Sequence, residues 1–168
     1  MAARARHLID IAIQRDPSTA LAIGHGDPCF SNILFDRRTG LMRLIDPRGA
    51  KSLDDAWMHP LYDLAKFSHS ICGAYDFINN DLFDCQLDGQ LVLRLQLQDG
   101  GSPADLRALF LEALQDRMPF GEGSLFIVRA YELSLFLSML PLHVDHPRKL
   151  AGFALTAAAL IQELEDQL

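Results

Sequence analysis

The sequence predicts a single α+β domain over residues 1–168, mainly α-helical with short β-hairpins. Three observations predict it. Apolar residues recur at helical spacing through the second half of the chain, as in Leu133, Phe136, Leu137 and Leu140, then Leu150, Phe153, Leu160 and Leu164. Between residues 19 and 45, by contrast, three short apolar runs of strand length are separated by turn-forming residues. A chain of 168 residues with 49% hydrophobic content is large enough for one compact core.

Taken in order, residues 1–15 read as one helix, with Leu8, Ile9, Ala12 and Ile13 suited to packing. Residues 19–23 read as a short buried strand entering a polar loop. A second strand covers 33–35 and a third covers 41–45. The polar turn Asp36-Arg37-Arg38-Thr39-Gly40 joins them. From residue 56 onward the chain reads as mainly helical, and its first helix, 56–72, carries Asp63 on its opening turns. Residues 83–98 alternate, and Asp88-Gly89 suits a hairpin turn between two strands. Ser102 is placed as an N-cap with Pro103 at the first helical position, opening a helix to about residue 117. Two further helices are expected at 123–142 and 147–168.

The polar residues most informative about chemistry lie in the strand-rich part. They are His25-Gly26-Asp27, then Asn32, then Asp46 within Leu44-Ile45-Asp46-Pro47-Arg48-Gly49. The spacing His-x-Asp-x-x-x-x-Asn, followed after one hairpin by a second Asp, suits a phosphoryl-transfer site. A transferring phosphoryl group carries spread negative charge, so catalysis there is mostly positioning and neutralisation. Mg²⁺ favours oxygen ligands, commonly one or two carboxylates together with phosphates. Asp46 offers a carboxylate and Asn32 a neutral oxygen, which leaves Asp27 to receive or orient the proton of an attacking hydroxyl. His25 reads as an orienting residue. Alone, Asp27 would read as a loop cap; in register with Asn32 and Asp46 it reads as the catalytic base.

These motifs resemble the C-terminal lobe of the aminoglycoside phosphotransferase and choline kinase family, which has protein-kinase-like architecture. The resemblance rests on three ordered segments. They are His25-Gly26-Asp27-x-x-x-x-Asn32-Ile33-Leu34, then Ile45-Asp46, then Pro60-Leu61-Tyr62-Asp63-Leu64-Ala65. It implies a catalytic loop at 24–32, a metal loop at 44–49, and a supporting role for Asp63 beneath the catalytic loop. Finer detail is similar to a subgroup from bacterial capsular and surface polysaccharide biosynthesis loci. That detail comprises Asp27-Pro28-Cys29-Phe30-Ser31-Asn32, Asp46-Pro47-Arg48-Gly49 and the run from Tyr62 through Lys66 to Ser70.

Two departures from the family matter. Pro47 and Arg48 follow Asp46 where many relatives carry an aromatic residue and then Gly or Glu. Pro47 fixes φ and stiffens the metal loop. Arg48 either touches a phosphate or pairs with Asp54 or Asp55, and the pairing is favoured because Arg pairs readily with a nearby carboxylate. The second departure concerns the N-terminal lobe, with its Gly-rich turn and phosphate-binding Lys. Only 24 residues precede His25, with no Lys and no Gly before Gly24. The expectation is a lobe lacking its N-terminal partner. Either an upstream segment or another chain supplies that partner, or catalysis has been lost.

The resemblance therefore implies an ATP-dependent phosphotransferase lobe using Mg²⁺ and ATP or another NTP. The acceptor would be a hydroxyl of a small molecule, such as a sugar or polysaccharide precursor. The alternative is a non-catalytic kinase-like lobe acting as a protein-interaction module. Metal-dependent phosphoester hydrolysis ranks last, because it needs more metal ligands than the motif offers. A formal charge of −7, without a Lys/Arg cluster, argues against nucleic-acid binding. Cys29, Cys72 and Cys85 show no paired spacing and read as reduced thiols of a cytoplasmic protein. No membrane span is expected, because Arg129 and Glu132 interrupt the longest apolar run. His69 reads as a packed histidine, and His143-x-x-His146 has no Cys partner for a zinc site.

Overall fold

The computed structural model describes residues 1–16, 20–89, 92–98, 104–117 and 123–168. Its architecture is α+β and mainly helical, with three two-stranded antiparallel sheets among the described residues. Helix α1 (Ala2–Arg15) has no internal Gly or Pro and buries Ala5, Leu8 and Ala12, an i, i+3, i+7 stripe. Ile13, expected to pack, is instead exposed, because it is turned about 100° from Ala12.

Strand β1 (Ala22–Ile23) pairs with β4 (Trp57–Met58), Ala22 opposite Met58 and Ile23 opposite Trp57. The expected strand over 19–23 is thus short, and residue 19 lies outside the described residues. It is not buried either: Leu21 and Ile23 are both exposed. A ladder two residues long is too small to be covered on both faces. Strand β2 (Ile33–Asp36) pairs with β3 (Leu41–Leu44) in the register Ile33 to Leu44 through Asp36 to Leu41. Its turn is closed by the Gly40 N–H on the Asp36 carbonyl at 2.8 Å, while the Asp36 carboxylate accepts from the Arg38 N–H at 2.9 Å and the Thr39 hydroxyl at 2.9 Å.

The helix expected from residue 56 begins six residues later, as α2 (Tyr62–Ile71). Trp57 and Met58 are engaged in the β1 ladder. Pro60 also disfavours helical backbone at His59, so the helix starts only beyond it. A short helix α3 (Tyr75–Asn79) follows. Strands β5 (Phe83–Leu87) and β6 (Leu93–Leu97) form the expected second hairpin. Its connection is longer than the two-residue turn suggested by Asp88-Gly89. The Asp88 N–H bonds the Val92 carbonyl, and the Val92 N–H bonds the Asp88 carboxylate, both at 2.9 Å. Helix α4 (Ala104–Arg117) occupies its expected place; its expected cap, Ser102 with Pro103, lies outside the described residues.

Helix α5 (Ser124–Met139) is the centre of the domain, packing against α1, α2, α4 and α6 (Pro147–Glu165). The expected core stripes hold in large part: Leu133, Phe136, Phe153 and Leu164 are fully buried and Leu160 nearly so, while Leu137, Leu140 and Leu150 are half-buried. Burying one such side chain contributes about 1.5–3 kcal/mol. The segment Ser124–His143 is long and apolar enough to cross a membrane by length and composition, and half of it is buried inside the molecule. That buried part includes Arg129 and Glu132. The Arg129 guanidinium donates to Glu132, to the Ser68 hydroxyl at 3.2 Å, and to both oxygens of Glu163 at 2.9 and 2.7 Å. Burial opposes the charge on Arg129, but Glu132 and Glu163 outweigh it and keep the guanidinium protonated. Burial pushes Glu132 upward, and Arg129 and Ser68 offset part of that rise.

Candidate functional site

Helix α2 builds the site. Asp63, Lys66 and Ser70 lie at i, i+3 and i+7, one above another on a single face. Each meets a different part of the loop that follows β1. The Asp63 carboxylate accepts the His25 N–H at 2.7 Å through Oδ2 and the Gly26 N–H at 2.8 Å through Oδ1. The Lys66 ammonium lies 2.9 Å from Asp27 Oδ1. The Ser70 hydroxyl accepts the Phe30 N–H at 3.3 Å, and Asp76 of α3 accepts the Ser31 N–H at 3.3 Å. The loop has little regular structure of its own, so these side chains satisfy backbone donors that no strand or helix satisfies.

Two glycines make the close approach feasible. A Cβ on Gly24 would stand 2.7 Å from both Asp63 Oδ2 and Met58 Sδ. Gly26 has φ of +79°, and a Cβ there would stand 2.7 Å from the Arg48 Cβ. The middle residue of His-Gly-Asp is thus fixed by backbone conformation and by the neighbouring loop at 44–49.

Asp27 and Asn32 meet directly. The Asn32 amide donates to the Asp27 carbonyl at 2.9 Å, and its nitrogen stands 3.4 Å from Asp27 Oδ2. The His25 ring accepts the Asp27 N–H on Nδ1 at 3.3 Å. The other ring nitrogen, Nε2, is buried without a hydrogen-bond partner among the described residues. The Asp27 side chain remains 42% exposed, so a hydroxyl can reach it from solvent.

Asp46 stands at the end of β3, beside the same loop. Two backbone bonds hold its segment: the Ile45 N–H to the Asn32 carbonyl at 2.9 Å, and the Arg48 N–H to the His25 carbonyl at 2.8 Å. Between them Asp46 adopts φ of +54°, a left-handed conformation that few non-glycine residues take and that Asp tolerates better than most. The Asp46 carboxylate is exposed, and the Asn32 side-chain oxygen makes no hydrogen bond among the described residues. One carboxylate and one amide oxygen match the hard-oxygen chemistry of Mg²⁺, with phosphate and water completing its shell. No group of three or more His, Cys, Asp or Glu is arranged to hold a metal among the described residues. That includes His143 and His146, whose rings stand 6.3 Å apart.

Arg48 does not pair with Asp54 or Asp55 as expected. Its guanidinium donates to the Tyr62 hydroxyl at 3.2 Å. Asp55 is engaged locally, accepting from the Ser52 hydroxyl at 2.9 Å within its own turn. Arg48, Lys51, Asp55, Trp57 and Tyr62 line an open cavity of about 470 Å³ that reaches Gly24.

Lys66 and Ser70 belong to the run from Tyr62 to Ser70, to which the sequence assigns no individual roles beyond Asp63. The signal was available: once Asp63 is placed under the loop, residues three and seven positions later share its face. His69, at the neighbouring position, points into the core and stacks on Tyr75 at 4.4 Å between ring centroids. Burial, with the Lys66 charge adding to it, pushes its pKa down to about 3. Cys29 is a buried free thiol beside Ser31, with no base against it. No family model, curated protein or solved structure matches this chain.

Proposed function

We propose that this chain is the C-terminal lobe of an ATP-dependent phosphotransferase of the aminoglycoside phosphotransferase and choline kinase type. The observation that carries the reading is the meeting of Asp27 with Asn32 in a loop clamped through two N–H groups by Asp63. Two segments distant in sequence, the loop from His25 to Asn32 and helix α2, thereby fix the place of one solvent-open carboxylate. In this reading Asp27 accepts a hydrogen bond from the acceptor hydroxyl and takes its proton as the phosphoryl group transfers. Asn32 and Asp46 would hold Mg²⁺, which supplies charge neutralisation at the nucleotide phosphates. His25 and Asp63 hold the loop that carries Asp27. The acceptor class is a hydroxylated small molecule, with a sugar or polysaccharide precursor favoured by the resemblance of the three motifs.

Calorimetric titration with ATP, with and without Mg²⁺, tests the reading. Mg²⁺-dependent binding that disappears in Asp46→Ala is the expected result. Phosphate transfer to a hydroxyl acceptor should then fall by about 10²-fold or more in Asp27→Asn, the contribution of a positioned general base. Turnover of Asp27→Asn within a few-fold of wild type would remove Asp27 from the role of base.

A second reading has its own observation. Hairpin β2–β3 exposes Phe35, Met42 and Leu44 on one face, an apolar surface of the kind that partners cover. A non-catalytic kinase-like lobe would use it as a protein-interaction module. Absence of nucleotide binding together with stable association through this hairpin would favour that reading.

A further inference from the structure

The site described above brings carboxylates close to where a polyanionic phosphate would lie, and its loop carries no cation to offset them. Pro28, Cys29, Phe30 and Ser31 are the residues between Asp27 and Asn32. Arg48 is turned to Tyr62. With Mg²⁺ at Asn32 and Asp46 offsetting charge on the nucleotide, the Asp27 carboxylate still repels a terminal phosphate approaching its bound hydroxyl unless a cation stands beside it.

Lys66 is such a cation. Its ammonium is 2.9 Å from Asp27 Oδ1, its side chain is 17% exposed, and it makes no other hydrogen bond among the described residues. An ammonium has three donors, so two remain for a ligand. A hydroxyl bonded to Asp27 would lie about 2.7 Å from the carboxylate, and its phosphoryl target about 3 Å further. Non-bridging oxygens of that phosphate then come within reach of Nζ on a flexible four-carbon stem.

We infer that Lys66 is a catalytic residue that binds the terminal phosphate of the nucleotide while it neutralises Asp27. The inference rests on the phosphotransferase reading. In the transfer, the acceptor oxygen bonds the terminal phosphorus and its proton passes to Asp27. The bridging oxygen–phosphorus bond breaks, and its electron pair leaves on the nucleoside diphosphate. Lys66 keeps all its protons and supplies charge.

The test is calorimetric titration of the full chain with Mg·ATP and with Mg·ADP, for wild type, Lys66→Gln, Lys66→Met and Lys66→Arg. Because the ion pair is partly exposed and the Met variant keeps the packed stem, the variants are expected to fold; thermal unfolding checks this. Removing a charged donor to phosphate should weaken Mg·ATP binding about tenfold or more in the Gln and Met variants. Mg·ADP, which lacks the terminal phosphate, should change less than about twofold, and Arg should restore most Mg·ATP affinity. Equal weakening of both nucleotides, or none, overturns the role of Lys66 and leaves Asp46-dependent nucleotide binding standing. Failure of wild type to bind Mg·ATP overturns both readings.

Discussion

Asp63 holds His25 and its neighbour from below: one carboxylate on the first turn of α2 accepts two consecutive backbone N–H groups, at 2.7 and 2.8 Å. Both oxygens are engaged, so the loop is fixed in orientation as well as in position. This makes Asp63 a structural determinant of where Asp27 points.

Asp63→Ala should therefore lower the unfolding free energy by about 2 kcal/mol, the scale for hydrogen bonds to a charged group. Amide exchange at His25 and Gly26 should accelerate sharply. Asp63→Asn keeps one acceptor oxygen and should lose less. Unchanged exchange at both amides in the Ala variant would show that the loop is held by other contacts.

Gly26→Ala places a methyl 2.7 Å from the Arg48 Cβ at a φ of +79°. A strained left-handed residue costs about 1–3 kcal/mol, and the crowding adds to it. The expected outcome is a lower urea midpoint with an unchanged slope. A Gly26→Ala protein as stable as wild type would mean the loop adjusts at no cost.

His69 gives a pH signature. Its folded pKa of about 3 lies below the ordinary value of 6.5, so the unfolded chain binds the extra proton between these limits. Stability contributed by neutral His69 is present above about pH 6.5 and is lost as pH falls toward about 3, at about 1.4 kcal/mol per pH unit where only the unfolded form is protonated. Denaturant unfolding from pH 7 to 4 should show this slope, and His69→Phe should flatten it. An equal slope in the variant would assign the acid sensitivity to other groups.

The Arg129–Glu132 pair is predicted to be asymmetric under mutation. Arg129→Met strips the fully buried Glu132 of its cation and should cost about 3–5 kcal/mol, whereas Glu132→Leu leaves Arg129 paired with Glu163 and should cost less. The double variant should recover much of that loss. Additive losses in chemical unfolding would indicate that the two residues act independently.

Much of the site was legible because its chemistry is local. His25, Asp27 and Asn32 share one loop, and one hairpin separates Asn32 from Asp46, so residue spacing alone brings them near one another. The elements that sequence reading misplaced depend on distant partners. Trp57 and Met58 looked like the start of a helix, yet they pair with Ala22 and Ile23, more than thirty residues earlier. Arg48 meets the Tyr62 hydroxyl, fourteen residues on, while Asp55 is engaged by Ser52 within its own turn. Ile13 satisfied apolar periodicity but sits just off the face that α5 covers. Lys66 required knowing which side of α2 the loop occupies.

The β2–β3 ladder works as a ruler. Ile33 stands opposite Leu44 at its base, and the Ile45 N–H reaches back to the Asn32 carbonyl. The spacing of Asn32 and Asp46 is thus set at the base, away from the turn at Asp36 to Gly40. Lengthening the hairpin by matched pairs of residues at its far end should leave that spacing intact. The tip is accordingly a place to insert a label or an affinity handle, whereas a single unmatched residue in either strand would shift the register and separate the two proposed metal-binding side chains.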